Sequence, residues 1–147
     1  MKRLMLIALC LSLNSCNHSN QHGVVVNETY IHRYGVAVPQ EEWQTRSQSS
    51  GQIVTTLKNG VIVRKTMVSG ILDGETTYSF PHSQMIEKSE IYSQGELQKS
   101  MHYYHSGRPA KELWINDDSV EVTKWYENGA PQSKELLVNN RLVSGEY

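Results

Sequence analysis

The feature that most constrains this chain is an internal repeat. Met101-His102-Tyr103-Tyr104-His105-Ser106-Gly107-Arg108-Pro109 aligns with Thr123-Lys124-Trp125-Tyr126-Glu127-Asn128-Gly129-Ala130-Pro131 at a shift of 22 residues. Aromatic pair, glycine and proline coincide, and Lys-Glu-Leu follows in both copies, one position later in the second. Lys88–Leu97 is a weaker relative. Leu72–Tyr78 and Leu142–Tyr147 share a leucine, a Gly-Glu pair and a nearby tyrosine. A period in the range of roughly 20–50 residues means a stacked array, in which each unit buries its surface only against its neighbours.

The local text says what the unit is. From Ile53 onward, short runs rich in Val, Thr, Tyr and Trp alternate with glycines in turn contexts: Asn59-Gly60, Gln94-Gly95, Ser106-Gly107 and Asn128-Gly129. Asn-Gly between two β-rich runs predicts a hairpin closed by a type I′ turn, whose two central residues both need φ > 0. Little of this half shows the 3.6-residue apolar spacing of an amphipathic helix. Gly60, Gly95, Gly107 and Gly129 are therefore turn glycines, required for backbone shape and given no chemistry. Asn116-Asp117-Asp118-Ser119 lacks the ligand spacing of a calcium loop and falls at a turn in the repeat register.

These residues resemble the bacterial variant of the MORN repeat, most specifically at Tyr103–Gly107 and Trp125–Gly129. The resemblance covers about Gly51 to Tyr147, as three or four degenerate units. It implies a mostly β fold of stacked β-hairpins forming an elongated antiparallel sheet. Many bacterial relatives in that family are labelled as toxin–antitoxin antitoxins, and exported lipoprotein members also occur. The spacing is irregular, and Pro81-His82-Ser83 interrupts one unit.

The N-terminus carries a different signal. Met1-Lys2-Arg3 precedes an apolar run, Leu4 to Leu13, too short to span a bilayer and shaped like a secretory signal peptide. Leu13-Asn14-Ser15-Cys16 resembles the lipobox of bacterial lipoproteins, although Asn14 departs from the small or apolar residue usual there. That resemblance implies cleavage before Cys16 and acylation of it. Multiple chains give stable membrane anchoring where a single one is marginal. Only two cysteines are present, Cys10 and Cys16. The first leaves with the signal peptide and the second is consumed by lipid, so the mature chain has no thiol for a disulfide, a zinc site or a nucleophile. Losing Lys2 and Arg3 takes Lys+Arg from 14 to 12 against 15 Asp+Glu. That acidic balance argues against a nucleic-acid partner and gives no electrostatic pull to anionic lipid heads.

The expected organisation is a signal peptide over 1–15, a lipidated cysteine and polar tether over 16–22, an irregular segment over 23–50, and the repeat domain over 51–147. Gly145-Glu146-Tyr147 opens like Gly74-Glu75-Thr76-Thr77-Tyr78 and goes no further, which reads as an array truncated at its C-terminal end with an exposed last strand.

No catalytic constellation, phosphate loop or dinucleotide fingerprint occurs, and no cofactor or metal is implied. His102 and His105 lie three apart, so on a strand their rings point to opposite faces. The residues best suited to a partner surface are Tyr103, Tyr104, Trp114, Trp125 and Tyr126, although packing between hairpins alone also explains their positions. The expected function is that of a non-catalytic envelope protein, held on the extracytoplasmic side of a membrane through acyl chains on Cys16, whose β-repeat domain binds another protein. An antitoxin or immunity-type protein that neutralises a toxin is the alternative. An envelope enzyme acting on peptidoglycan is the remaining one.

Overall fold

The computed structural model describes residues 23–45 and 49–147; the proposed signal peptide and Cys16 lie outside them. The described residues form one antiparallel sheet of eleven strands and a single short helix. In chain order these are β1 (Val25–His32), β2 (Ala37–Val38), α1 (Gln40–Thr45), β3 (Gly51–Leu57), β4 (Ile62–Val68), β5 (Ile71–Ser79), β6 (Ile86–Ser93), β7 (Glu96–Tyr103), β8 (Pro109–Asn116), β9 (Ser119–Trp125), β10 (Pro131–Val138) and β11 (Arg141–Glu146). The strand order is β11 through β3 in sequence, then β1 and β2. From β3 to β11 each strand pairs with the next in sequence, as a run of hairpins must.

The segment over 23–50 is not irregular. Val25–His32 is a full strand of the sheet, paired with β3 along Glu28↔Thr55 and Tyr30↔Ile53, and β2 folds back on its far side. The array therefore begins ahead of Gly51. The helix α1 places Trp43 against Tyr30, ring centroids 5.6 Å apart, and both are buried.

Two kinds of loop close the hairpins, one at each end of the strands. At one end a three-residue loop recurs four times. Tyr104 N–H donates to the Arg108 carbonyl at 2.9 Å and Gly107 N–H to the Tyr104 carbonyl at 2.8 Å. The same pair of bonds recurs at His32–Val36, Leu57–Val61 and Tyr126–Ala130. In each, the third loop residue is a glycine at φ of +79° to +88°: Gly35, Gly60, Gly107 and Gly129. This is a type I turn followed by a left-handed residue. The type I′ expectation for Asn59-Gly60 and Asn128-Gly129 is thus corrected, because each asparagine keeps negative φ and only the glycine is left-handed. True two-residue I′ turns lie at the other end, at Ser69-Gly70, Gln94-Gly95 and Asn139-Asn140, where both central residues have positive φ. Asp117-Asp118 closes the β8–β9 hairpin there without positive φ, so the expected turn is present.

Pro81-His82-Ser83 enlarges one loop of the first end. His82 N–H donates to the Gly60 carbonyl at 3.0 Å, and Phe80 stacks on His105 with centroids 3.7 Å apart. The interruption in the repeat thus locks three consecutive loops together.

Residues paired across successive strands share a face. One row runs Glu28, Thr55, Val63, Tyr78, Lys88, His102, Lys111, Lys124, Ser133. Its neighbour on the same face runs Tyr30, Ile53, Lys65, Thr76, Glu90, Ser100, Leu113, Val122, Glu135. All buried strand residues lie on this side except Ser79 and Ser89, and it is called the inner face below. Its centre is built largely from small polar side chains: Thr55, Thr76, Ser100 and Ser133 are all buried.

Candidate interaction surface

The five aromatic residues expected to form a partner surface do not form one patch. Tyr104 is structural: its hydroxyl donates to the Trp125 carbonyl at 2.8 Å, tying one loop to the next, as Arg108 Nη1 does to the Glu127 carbonyl at 3.3 Å. Tyr126 is exposed at the same loop end. Tyr103 and Trp125 point to the outer face by strand alternation, and the Tyr103 hydroxyl lies 3.4 Å from Ser89 Oγ. Trp114 stands near the opposite end of the strands on that face, paired with Lys99 and Glu121. It is 45% exposed, with Lys99 Nζ 4.5 Å from its ring centroid. Ile91, the partner of Lys99 on the next strand, is also exposed.

Charges on the outer face alternate and neutralise one another. Lys99 pairs with Glu112 at 2.5 Å and Lys134 with Glu121 at 2.8 Å. Glu121 raises the Lys134 pKa, chiefly through its hydrogen bond. The result is two exposed apolar residues, Ile91 and Trp114, with Lys99 between them and satisfied ion pairs alongside.

On the inner face two carboxylates, Glu90 and Glu28, gather hydroxyl donors that the sequence did not assign to them. Glu90 accepts from Tyr78 at 3.0 Å, Tyr92 at 3.1 Å and Lys88 Nζ at 2.9 Å. Lys88 Nζ also sits 3.9 Å from the Tyr78 ring centroid. Burial first, then the Glu90 charge, pushes the Tyr92 hydroxyl up to about 12 and that of Tyr78 higher still. Glu28 accepts from Tyr30 and, at 3.1 Å, from Thr55. The Tyr30 bond is the main reason its hydroxyl rises to about 12. In both places an acid is saturated by donors that stay protonated. The sequence signal was the period-two run Lys88-Ser89-Glu90-Ile91-Tyr92, which sets all three polar ends on one face. Beside Glu28 lies an open hollow of about 350 Å³ with Val25, Leu57, Val63, Lys65 and Tyr78 on its walls.

His102 and His105 diverge as expected, the first on the inner row and the second in a loop against Phe80. Among the described residues no group of three or more His, Cys, Asp or Glu side chains is placed to hold a metal ion, and no helix is long and apolar enough to cross a membrane. Comparison with family models, with curated proteins and with solved structures finds no match to this chain.

Proposed function

We propose that this chain is a non-catalytic, lipid-anchored envelope protein whose repeat sheet binds another protein through its outer face. The observation that carries the binding role is Trp114, half-exposed on the outer face with Lys99 over its ring and the pairs Lys99–Glu112 and Lys134–Glu121 alongside. A large aromatic anchor within a rim of satisfied polar groups is the composition in which interface energy concentrates. The anchor and the location rest on Met1–Cys16, whose cation pair, apolar run and cysteine fall in the order that export and acylation require.

Two experiments test the two halves separately. Cys16→Ser should abolish incorporation of labelled fatty acid and leave unprocessed precursor; normal labelling in that variant sinks the anchor. Trp114→Ala should lose a protein captured by the wild-type chain from detergent-solubilised envelope while keeping its thermal midpoint. Capture of the same protein by both chains means the outer face is not the docking surface.

A further inference from the structure

We propose that the end of the sheet where the chain enters β1 docks on a lipid surface, with Lys58 and Arg108 meeting anionic head groups and Val24, Val25 and Val26 entering the interface. This rests on the anchor assigned to Cys16 and adds which part of the protein then faces the bilayer. The primary observation is a difference between the loops at the two ends of the strands. Those after β3, β5, β7 and β9 cover residues 58–60, 80–85, 104–108 and 126–130. Their formal charges are Lys58 and Arg108 against Glu127, a net of +1, and the imidazoles of His82 and His105 join them. The turns after β4, β6, β8 and β10 are Ser69-Gly70, Gln94-Gly95, Asp117-Asp118 and Asn139-Asn140, which hold two acids and no cation, a net of −2. The whole chain carries −1, so its total conceals a separation of charge along the strands. Apolar groups divide the same way. The first set of loops exposes Met85 and Tyr126, and the second contains no apolar side chain.

The four loops make one preformed surface. His82 N–H donates to the Gly60 carbonyl, and Phe80 stacks on His105. The Tyr104 hydroxyl and Arg108 Nη1 reach the carbonyls of Trp125 and Glu127. Each loop is thus tied to the next, and little conformational freedom remains to be lost on binding.

The valines stand at the same end. Lys58 N–H donates to the Val24 carbonyl at 2.8 Å, and Val24, Val25 and Val26 are 68%, 54% and 66% exposed. Among the described residues β2 pairs with β1 only at Tyr30 and Ile31, so no strand lies beyond this stretch. Glu28, the one acid of β1, is taken up by Tyr30 and Thr55. What identifies the occupant is the length of chain back to the anchor. Eight positions (24 − 16) separate Val24 from Cys16, and eight extended residues span at most ~29 Å. Acyl chains on Cys16 therefore hold the valines and Lys58 within that distance of a bilayer, where individually weak contacts suffice. Exposed valines bury their methyls at the acyl boundary, cations are drawn to anionic head groups, and a tyrosine such as Tyr126 suits the level between them. A protein partner would leave unexplained why valines, cations and the entry of the tether share one end.

The test uses the full chain carrying Cys16→Ser, which cannot be acylated, in flotation with vesicles of phosphatidylcholine alone or mixed with phosphatidylglycerol. The apolar run at the N-terminus is common to every variant, so differences between variants report the loop end. Anionic vesicles should bind the more tightly, and added salt should weaken them. Lys58→Glu and Arg108→Glu should each lower that binding about fivefold or more. Arg141→Glu makes the same change in net charge at the opposite end and should bind like its parent, as should Trp114→Ala. Val26→Glu should weaken binding to both kinds of vesicle. Lys58 sits on an exposed loop tip, so its reversal decides should Arg108→Glu fail to fold. Unchanged binding in Lys58→Glu or Val26→Glu, an equal loss in Arg141→Glu, or no preference for anionic vesicles overturns the proposal. A vesicle-free dimer that Val26→Glu dissociates would give the valines to a second copy and overturns it too. Fatty-acid labelling of the chain with Cys16 intact reports the anchor separately: label without a loop-end effect keeps the anchor and removes the docking surface, and the converse result does the reverse.

Discussion

Replacing Thr76 by valine should stabilise this protein. Thr76 is 1% exposed, and among the described residues no donor or acceptor reaches its Oγ1. A buried hydroxyl without a partner costs about 1–3 kcal/mol relative to leaving it hydrated. Valine keeps the branched Cβ that suits a strand and exchanges the hydroxyl for a methyl of nearly equal volume, so no cavity opens. The low end of that range is the right expectation, because the unfolded chain loses a solvated hydroxyl too. About 1 kcal/mol corresponds to a rise of roughly 4 °C in a domain of this size. Thr55 is the internal control. It is equally enclosed, at 5% exposure, but its hydroxyl donates to Glu28 at 3.1 Å. Thr55→Val should therefore lower stability by about 1–2 kcal/mol, since it removes a bond to a carboxylate. Thermal denaturation followed by circular dichroism, with urea midpoints at constant m, measures both. A fall in midpoint for Thr76→Val, or shifts of the same sign in both variants, would refute the reasoning.

The remaining predictions concern loops and alkali. Gly129→Ala should cost about 1 kcal/mol, because φ is +88° while the space around a new Cβ is open. Gly60→Ala should cost more than Gly129→Ala, since a Cβ there would also lie 2.4 Å from His82 Nδ1; equal shifts in thermal midpoint would show that the His82 ring moves freely aside. Tyr30 and Tyr92 are both raised from 10.0 to about 12 in the folded chain, so the unfolded chain releases their protons first. The stability they contribute is complete below pH 10 and declines as pH climbs towards 12. Phenolate absorbance against pH should show these two hydroxyls ionising together with unfolding, and Tyr92→Phe should move the alkaline transition to higher pH.

Much of the fold was legible because hairpin loops leave local marks. The glycines at 107 and 129, the proline two residues later and the aromatic pair before them fixed the last hairpins in sequence. What failed was turn type. Asn-Gly suits a two-residue loop, yet at Asn59 and Asn128 the side chain instead accepts the N–H two residues on, from Val61 at 3.2 Å and from Ala130 at 2.9 Å. Whether a loop holds two or three residues depends on which residues pair beneath it, and that register is not local information. The first strand was missed for another reason. Its Tyr34-Gly35 loop lies 25 residues before Gly60, close to the later period, but Val24-Val25-Val26 and the polar stretch over 47–52 hid the alternation.

The inner row shows where sequence reading stops in a protein of this kind. Lys88, His102, Lys111 and Lys124 are separated by 14, 9 and 13 residues, a spacing with no meaning until each hairpin's register is known. Once they are aligned, the small residues of the neighbouring row acquire a purpose. Ser100 pairs between Glu90 and Leu113 on the row beside His102 and Lys111, and Ser133 ends the lysine row next to Lys124. Both are buried although neither has bulk to fill a core. A serine there leaves room for the aliphatic stems of adjacent lysines to lie along the sheet while their ammonium groups stay near water. Larger apolar residues at the same places would add hydrophobic burial, and would lift those stems off the surface. The thinness of this core and the lysines over it are thus one arrangement: the face that gives up apolar packing is the face that carries Lys88, Lys111 and Lys124, two of them closed by Glu90 and Glu135.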